Sequence, residues 1–358
     1  MGSSPRSEAL RTLASRRGKA GAGLGMTSGG HAIAINYHFV RPENASGRFR
    51  LRAHEKPERF AAQLDRLLHH VEFLTCSELV EQVPLGGRSK VLLTFDDGAR
   101  DVSEFALPAL RERSIAATAF VCSLPYAEEK LLQVQRVEFL MSKLGLGGLR
   151  DAFYAELERF MPQGVEREPL DFAGGYRFYR YDEGSMREFK LDLNYRLPYT
   201  VVEPVLESLF QAVFGRGAEQ EAVRETYLAV DDLKRLCDAG VEIGTHTYSH
   251  KVLPRLAFTQ QKEEIRLGAE GLQELLGAPV RTLAYPFHFH DEQTKRAARE
   301  CGLVAGLAGG RRGIEASDLA APWAIPRYDV NDCFDRRSNV PTEALRVLGL
   351  DPAPSGAS

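Results

Sequence analysis

The stretch Lys90-Val91-Leu92-Leu93-Thr94-Phe95-Asp96-Asp97-Gly98 decides how this chain is read. Lys90 to Phe95 is an apolar run of strand length, the kind found where a parallel sheet is covered on both faces. Asp96 and Asp97 interrupt it sharply, and an unpaired carboxylate at that place is costly to bury. Gly98 then lets the backbone turn tightly and approach a ligand. Neighbours on a strand point to opposite faces, but a bend at the strand end can bring both carboxylates to one pocket. Either aspartate alone also fits an Asx turn or a helix cap.

Outward from this point the pattern repeats. His31 to Tyr37 and Val71 to Thr75 read as strands, separated by a helix from Pro57 to His69 with Phe60, Leu64, Leu67 and Leu68 on one stripe. A helix over Phe105–Arg113 leads to a strand over Ala116–Val121. The rhythm resumes with a helix over Asp231–Ala239, stopped by Gly240, and a strand over Val241–Gly244. A helix over Thr259–Leu276, a strand over Thr282–Tyr285, a helix over Asp291–Glu300 and strands over Leu303–Ala308 and Ala324–Val330 complete it. Alternation of this kind predicts parallel β/α units, with polar chemistry at the C-terminal ends of the strands.

Residues 124–230 break the rhythm. Val134–Leu144, Ala152–Phe160 and Thr200–Phe214 read as helices, whereas Asp171–Pro198 is aromatic and irregular. This is expected to be a mainly helical insertion over one end of a domain spanning 31–330, with Tyr176, Phe178, Tyr179 and Tyr181 offering flat surfaces to a substrate, although core packing is the plainer reading of each. Residues 1–30, rich in glycine and serine, read as a disordered arm, and 331–358 as a C-terminal extension with a loose tail.

Composition excludes several functions. A net charge of −3 lacks the basic footprint of a dedicated nucleic-acid binder. No apolar run approaches the roughly 18 residues of a membrane span. Arg16, Arg17 and Lys19 are not followed by the apolar segment of a secretory signal, and the five cysteines are odd in number and form no CxxC pair. A cytoplasmic protein with reduced cysteines is expected. Homo-oligomerisation is left open.

His246 and His250 follow a strand and stand four apart, so on a helical turn both imidazoles would face one ion. Alone, the pair reads more readily as one packed and one surface histidine. Two histidines and one carboxylate leave positions open for water and a substrate oxygen. An ion so held acidifies water and polarises an amide carbonyl, while the second aspartate accepts the proton. Adjacent carboxylates cannot flank a glycosidic bond at the roughly 5–9.5 Å a glycosidase needs.

Thr94 to Gly98 is identical to the TFDDG signature of the NodB-homology polysaccharide deacetylases (carbohydrate esterase family 4), and Thr245 to His250 matches their H-[ST]-x-x-H signature. This resemblance implies an α/β fold, a distorted parallel (β/α) barrel. It implies Asp96 as catalytic base and Asp97, His246 and His250 as ligands of one divalent ion, zinc first, with cobalt, nickel or manganese also compatible. The substrate would be an N-acylated, by resemblance N-acetylated, amino sugar. Tyr37-His38-Phe39-Val40-Arg41-Pro42 resembles the YHxVRP opening of members encoded with polysaccharide biosynthesis genes. The near-neutral net charge and the missing export signal point to a small cytosolic glycoside, sugar nucleotide or lipid-linked intermediate. His38 would sit at the rim of the first strand, where a packed histidine is the plainer reading.

The sequence departs from the family twice. Where the family has R-x-P-[YFW], this chain reads Ala284-Tyr285-Pro286-Phe287. Phe287 keeps the aromatic whose backbone N–H, by resemblance, stabilises an oxyanion, and Arg281 or Arg327 is left to replace the missing arginine. The late L-x-H histidine is absent from Ile325-Pro326-Arg327-Tyr328-Asp329. His288 and His290 are the candidate general acids, sharing a side if the segment stays extended, with His38 next. Arg327 with Asp329 reads as a structural or substrate-binding pair. A metal-bound carbohydrate-binding protein without catalysis, a deformylase and an O-esterase are the competing readings.

Overall fold

In β3 (Ser89–Phe95) successive side chains alternate between two cores. Val91, Leu93 and Phe95 face outward, clustered with Phe60, Leu64 and Leu67 of the helix Pro57–Leu68. Leu92 faces inward, against Ala34 of β1 (Ala32–Tyr37), Phe120 of β4 (Ala117–Val121), Leu307 of β7 (Ala305–Gly309) and Ile325 of β8 (Ile325–Asp329). Burial on both faces explains the uninterrupted apolar run. The computed structural model describes residues 30–42, 49, 55–81, 87–171 and 184–350. The arm 1–29, the tail 351–358 and the aromatic group Tyr176, Phe178, Tyr179 and Tyr181 lie outside the described residues.

All strand pairings among the named strands are parallel. The order β1-β8-β7-β6-β5-β4-β3, with β6 at Thr282–Ala284 and β5 at Val241–Thr245, is closed by pairing of β1 with β3. Seven strands therefore form a closed barrel flanked by helices. The barrel is irregular at β3. β2 (Val71–Phe73) pairs with its first residues, Ser89 to Val91, whereas β4 pairs only with Thr94 and Phe95.

The barrel interior is layered. Glu242 sits at one end, accepting from Thr282 Oγ1 and Ser77 Oγ, each at 2.8 Å. An apolar layer follows, and Asn36, Thr94, Asp96 and Arg327 close the other end, all buried. Charged groups in such an interior need partners, and both polar layers supply them.

Between β4 and the helix Val230–Asp238 lies a second core, built from Phe139, Leu140, Phe153, Phe189, Leu206 and Phe210. The two helices expected over 134–160 are present within Gln133–Phe160, separated at Gly145 by φ 68° and ψ 165°, with the second beginning earlier than Ala152. Gly184–Leu191 and Ala218–Thr226 are additional helices, in stretches whose polar composition masks their buried faces. After Gly98 the helix starts early, as a π-helical turn at Val102–Ala106. The C-terminal extension is packed as far as it is described, with Leu345, Leu348 and Leu350 in the outer core. Among the described residues no helix is long and apolar enough to cross a membrane.

Candidate metal centre and active site

The inward alternation of β3 continues past its end, so Leu92 and Thr94 are followed inside the barrel by Asp96. On β8, Ile325 is likewise followed by Arg327. Arg327 Nη1 and Nη2 donate to Asp96 Oδ1 and Oδ2 at 2.7 and 2.8 Å, and Asn36 Nδ2 donates to Oδ2 at 3.1 Å. Both ionic residues are 2% exposed. Burial pushes the Asp96 pKa up, but the Arg327 charge, His246 and the Arg327 hydrogen bonds outweigh it and hold the carboxyl well below the usual range. Arg281 instead pairs with Glu81, and both are exposed. The expected Arg327–Asp329 pair does not form: Asp329 accepts from the Asn331 backbone N–H at 2.8 Å, and Arg327 turns into the barrel.

Asp97 adopts φ 69°, which turns its carboxylate to the same barrel mouth. Gly98 follows at φ 71°, and a Cβ there would lie 2.8 Å from Val121 Cγ1, so glycine is required twice over. Asp97 Oδ1 stands 3.6 Å from His246 Nε2 and 3.4 Å from His250 Nε2. That oxygen is buried without a hydrogen-bond partner. Oδ2 accepts from Gln135 Nε2 at 3.0 Å.

His246 continues the inward positions Glu242 and Gly244 of β5. Its Nδ1 lies 2.7 Å from the Ala284 carbonyl, so Nδ1 carries the proton and Nε2 is left as a lone pair. The segment to His250 is not the helical turn expected from the i, i+4 spacing: it is a loop, with φ 69° at Thr247 and 61° at His250. Thr247 Oγ1 accepts from the His250 N–H at 3.2 Å, and Glu264 accepts from the Ser249 N–H and hydroxyl at 2.9 and 2.6 Å. Burial lowers the pKa of both imidazoles to about 4, keeping them neutral and able to ligate.

These three residues fit a divalent ion. Bonds of about 2.1 Å at tetrahedral angles place neighbouring ligand atoms roughly 3.4 Å apart, close to the two oxygen–nitrogen separations here. The three candidate donor atoms all lie within 4.8 Å of one another. Asp96 Oδ2 stands 4.0 Å from His246 Nε2, beside this triad.

The mouth opens into a cleft of about 320 Å³. Phe287 and His288 line it in left-handed conformation, φ 54° and 66°, and the Phe287 ring lies 4.8 Å from that of His250. This turn overturns the extended alternation expected for 288 and 290. His288 faces the cleft, whereas His290 stacks on Tyr285 at 5.0 Å and does not line it. His38 lines it also. Gln135, Glu138 and Tyr195, which no motif singled out, reach the cleft from the 124–230 segment. Tyr195 packs edge-on against Phe287 at 5.7 Å. Arg41 of the VRP stretch holds Asp101 through two hydrogen bonds of 2.5 and 2.6 Å, fastening the loop behind Gly98 to the end of β1.

Residues 86–141 and 212–306 match the family model described as polysaccharide deacetylase. No curated protein matches the sequence significantly. The fold resembles that of the Streptococcus pyogenes deacetylase PplD in complex with acetate, at 15% identity and a TM-score of 0.50 over 84% of this chain and 93% of that one. IcaB from Ammonifex degensii aligns at 19% identity and a TM-score of 0.48, covering 84% and 91%. The BpsB deacetylase domain of Bordetella bronchiseptica aligns at 14% and 0.47, covering 86% and 98%.

Proposed function

We propose that this chain, which matches the polysaccharide deacetylase family model over residues 86–141 and 212–306, removes an N-acyl group, acetyl first, from an amino sugar. The observation that carries the reading is the buried, unpartnered Asp97 Oδ1 between two imidazole nitrogens, with ionised Asp96 alongside. Asp97, His246 and His250 would hold one divalent ion, zinc in the first instance. Such an ion, when bound, lowers the pKa of water and polarises the amide carbonyl.

The chain's own groups do the rest. Asp96, oriented by both terminal nitrogens of Arg327, takes the proton of the attacking water. The Phe287 N–H donates to the oxygen on which charge develops. His288 delivers a proton to the departing amine, with His38 the next candidate. Residues 31–330 form the deacetylase domain and 124–230 its insertion. The cleft volume is at the small end for ligand sites, which favours a small glycoside, sugar nucleotide or lipid-linked intermediate over a long polymer. Five unpaired cysteines fit a cytoplasmic setting.

The test is acetate release from N-acetylated amino sugars and their nucleotide and lipid-linked forms, by protein stripped with a chelator and then reloaded with Zn²⁺. Release only after reloading is expected. Formate or O-acetyl release in its place would reassign the acyl group, and metal binding with no hydrolysis would favour a carbohydrate-binding protein.

A further inference from the structure

Gln135 lies on the first turn of the helix Gln133–Phe160, 38 residues from Asp97 in the chain, and is 2% exposed. Its side chain joins a directed series of hydrogen bonds. The Leu132 N–H donates to Tyr227 Oη at 2.9 Å, Tyr227 Oη lies 3.2 Å from Gln135 Oε1, and Gln135 Nε2 donates to Asp97 Oδ2 at 3.0 Å. The direction follows from donor counting. Tyr227 Oη already accepts from Leu132, so its one proton goes to Gln135 Oε1, and the amide must present its N–H to the carboxylate. Burial raises the Tyr227 pKa well above its ordinary value, so the hydroxyl stays protonated.

The same segment is bound to the loop that carries Asp97. Tyr227 forms an antiparallel bridge with Ala99, the Arg100 N–H donates to Thr226 O at 2.8 Å, and the Leu228 N–H donates to Gly98 O at 3.0 Å. Leu132 and Tyr227 stand near the two ends of the insertion, so the series of hydrogen bonds ties its entry to its exit and both to the aspartate. Asp97 is thereby left with one oxygen occupied and the other, Oδ1, turned to the two histidines.

We propose that Gln135 is a positioning residue for the metal centre: by occupying Asp97 Oδ2 it limits that carboxylate to one ligating oxygen. The inference rests on the metal reading above. With one oxygen per carboxylate and one nitrogen per histidine, the triad keeps positions open for water and substrate. A carboxylate released from Gln135 is free to rotate or to offer both oxygens, which fills a position the reaction needs. The insertion is then part of the metal site and not only a cover for the substrate.

Cobalt titration of the stripped protein against a competing chelator, with its visible absorption recorded, tests this without an activity assay. In Q135L, Co²⁺ binds about 10- to 100-fold more weakly, and the visible band loses intensity as a further oxygen enters the coordination sphere. Q135N, one methylene too short to span the gap, behaves like Q135L. Y227F, which leaves the glutamine but frees its amide to flip, shifts in the same direction by less. Circular dichroism of the stripped variants matches the parent. Parental affinity and spectrum in a folded Q135L overturn the proposal; if Q135L does not fold, the same result for Y227F overturns it. Failure of the parent protein to take up Co²⁺ sinks the metal reading itself and this inference with it.

Discussion

Arg327 and Asp96, 231 residues apart in the chain, meet side-on at the mouth of the barrel through two hydrogen bonds of 2.7 and 2.8 Å. Ala284, where the family signature places an arginine, lies in the same barrel interior. The guanidinium comes instead from β8. A planar fork with two donors fixes a carboxylate's orientation as well as its charge.

Replacing Arg327 removes the main influence that depresses the Asp96 pKa and leaves burial, which raises it. R327K keeps the charge but loses the two-pronged fork, so its acidic limb of kcat/KM moves modestly to higher pH, because the base is protonated over a wider range below neutrality. R327A moves it further but also leaves a buried unpaired charge, at a cost of about 3–5 kcal/mol in stability. A pH–rate series with metal content measured in parallel checks this. An unmoved acidic limb in folded R327K removes Arg327 from control of the base.

D96N retains the ion and the fold and loses turnover on the order of 10²-fold or more. Metal stoichiometry measured beside kcat separates the two roles. Normal turnover assigns the base elsewhere.

H246A and D97A lose the divalent ion on purification, and activity with it. Metal analysis of each variant decides the matter. Parental metal content with intact activity in H246A would strip these residues of the ligand role.

H288A keeps metal and substrate binding but loses the alkaline limb of the kcat profile. Burial and the Arg327 charge lower the pKa of free His288 to about 3, so the imidazole serves as an acid only once the negative charge of the tetrahedral intermediate raises it, and the limb reports that bound state. H290A retains the parental profile, since His290 is stacked on Tyr285 outside the cleft. An unchanged profile for H288A, with the limb lost in H38A, transfers the acid role to His38.

Local signals carried the sequence reading a long way. The β/α rhythm is written in apolar runs and stripes of a few residues each, and the two aspartates stand out because they end such a run. The histidine pair was legible for a reason the structure replaces: the rings converge through two left-handed loop residues, Thr247 and His250, not through a helical face. Arg327 could be named only as one of two stand-ins for the missing arginine, and Gln135 and Tyr195 were out of reach. Each acts across a gap in the chain closed only by barrel formation or by docking of the insertion, and no period of 2 or 3.6 encodes such a meeting. The turn at Phe287 and His288 was hidden as well, because nothing in two aromatic-ring residues announces a positive φ.

Among the described residues nine non-glycine residues adopt positive φ, and five of them, Asp97, Thr247, His250, Phe287 and His288, belong to the site. Left-handed backbone at such residues costs on the order of 1–3 kcal/mol apiece, and the surrounding barrel holds them there. The centre accordingly stores more backbone strain than the paired strands beneath it. On gradual warming these loops relax toward ordinary dihedrals while the strands beneath remain paired, so hydrolysis and metal retention fade at temperatures where the helical signal is still intact.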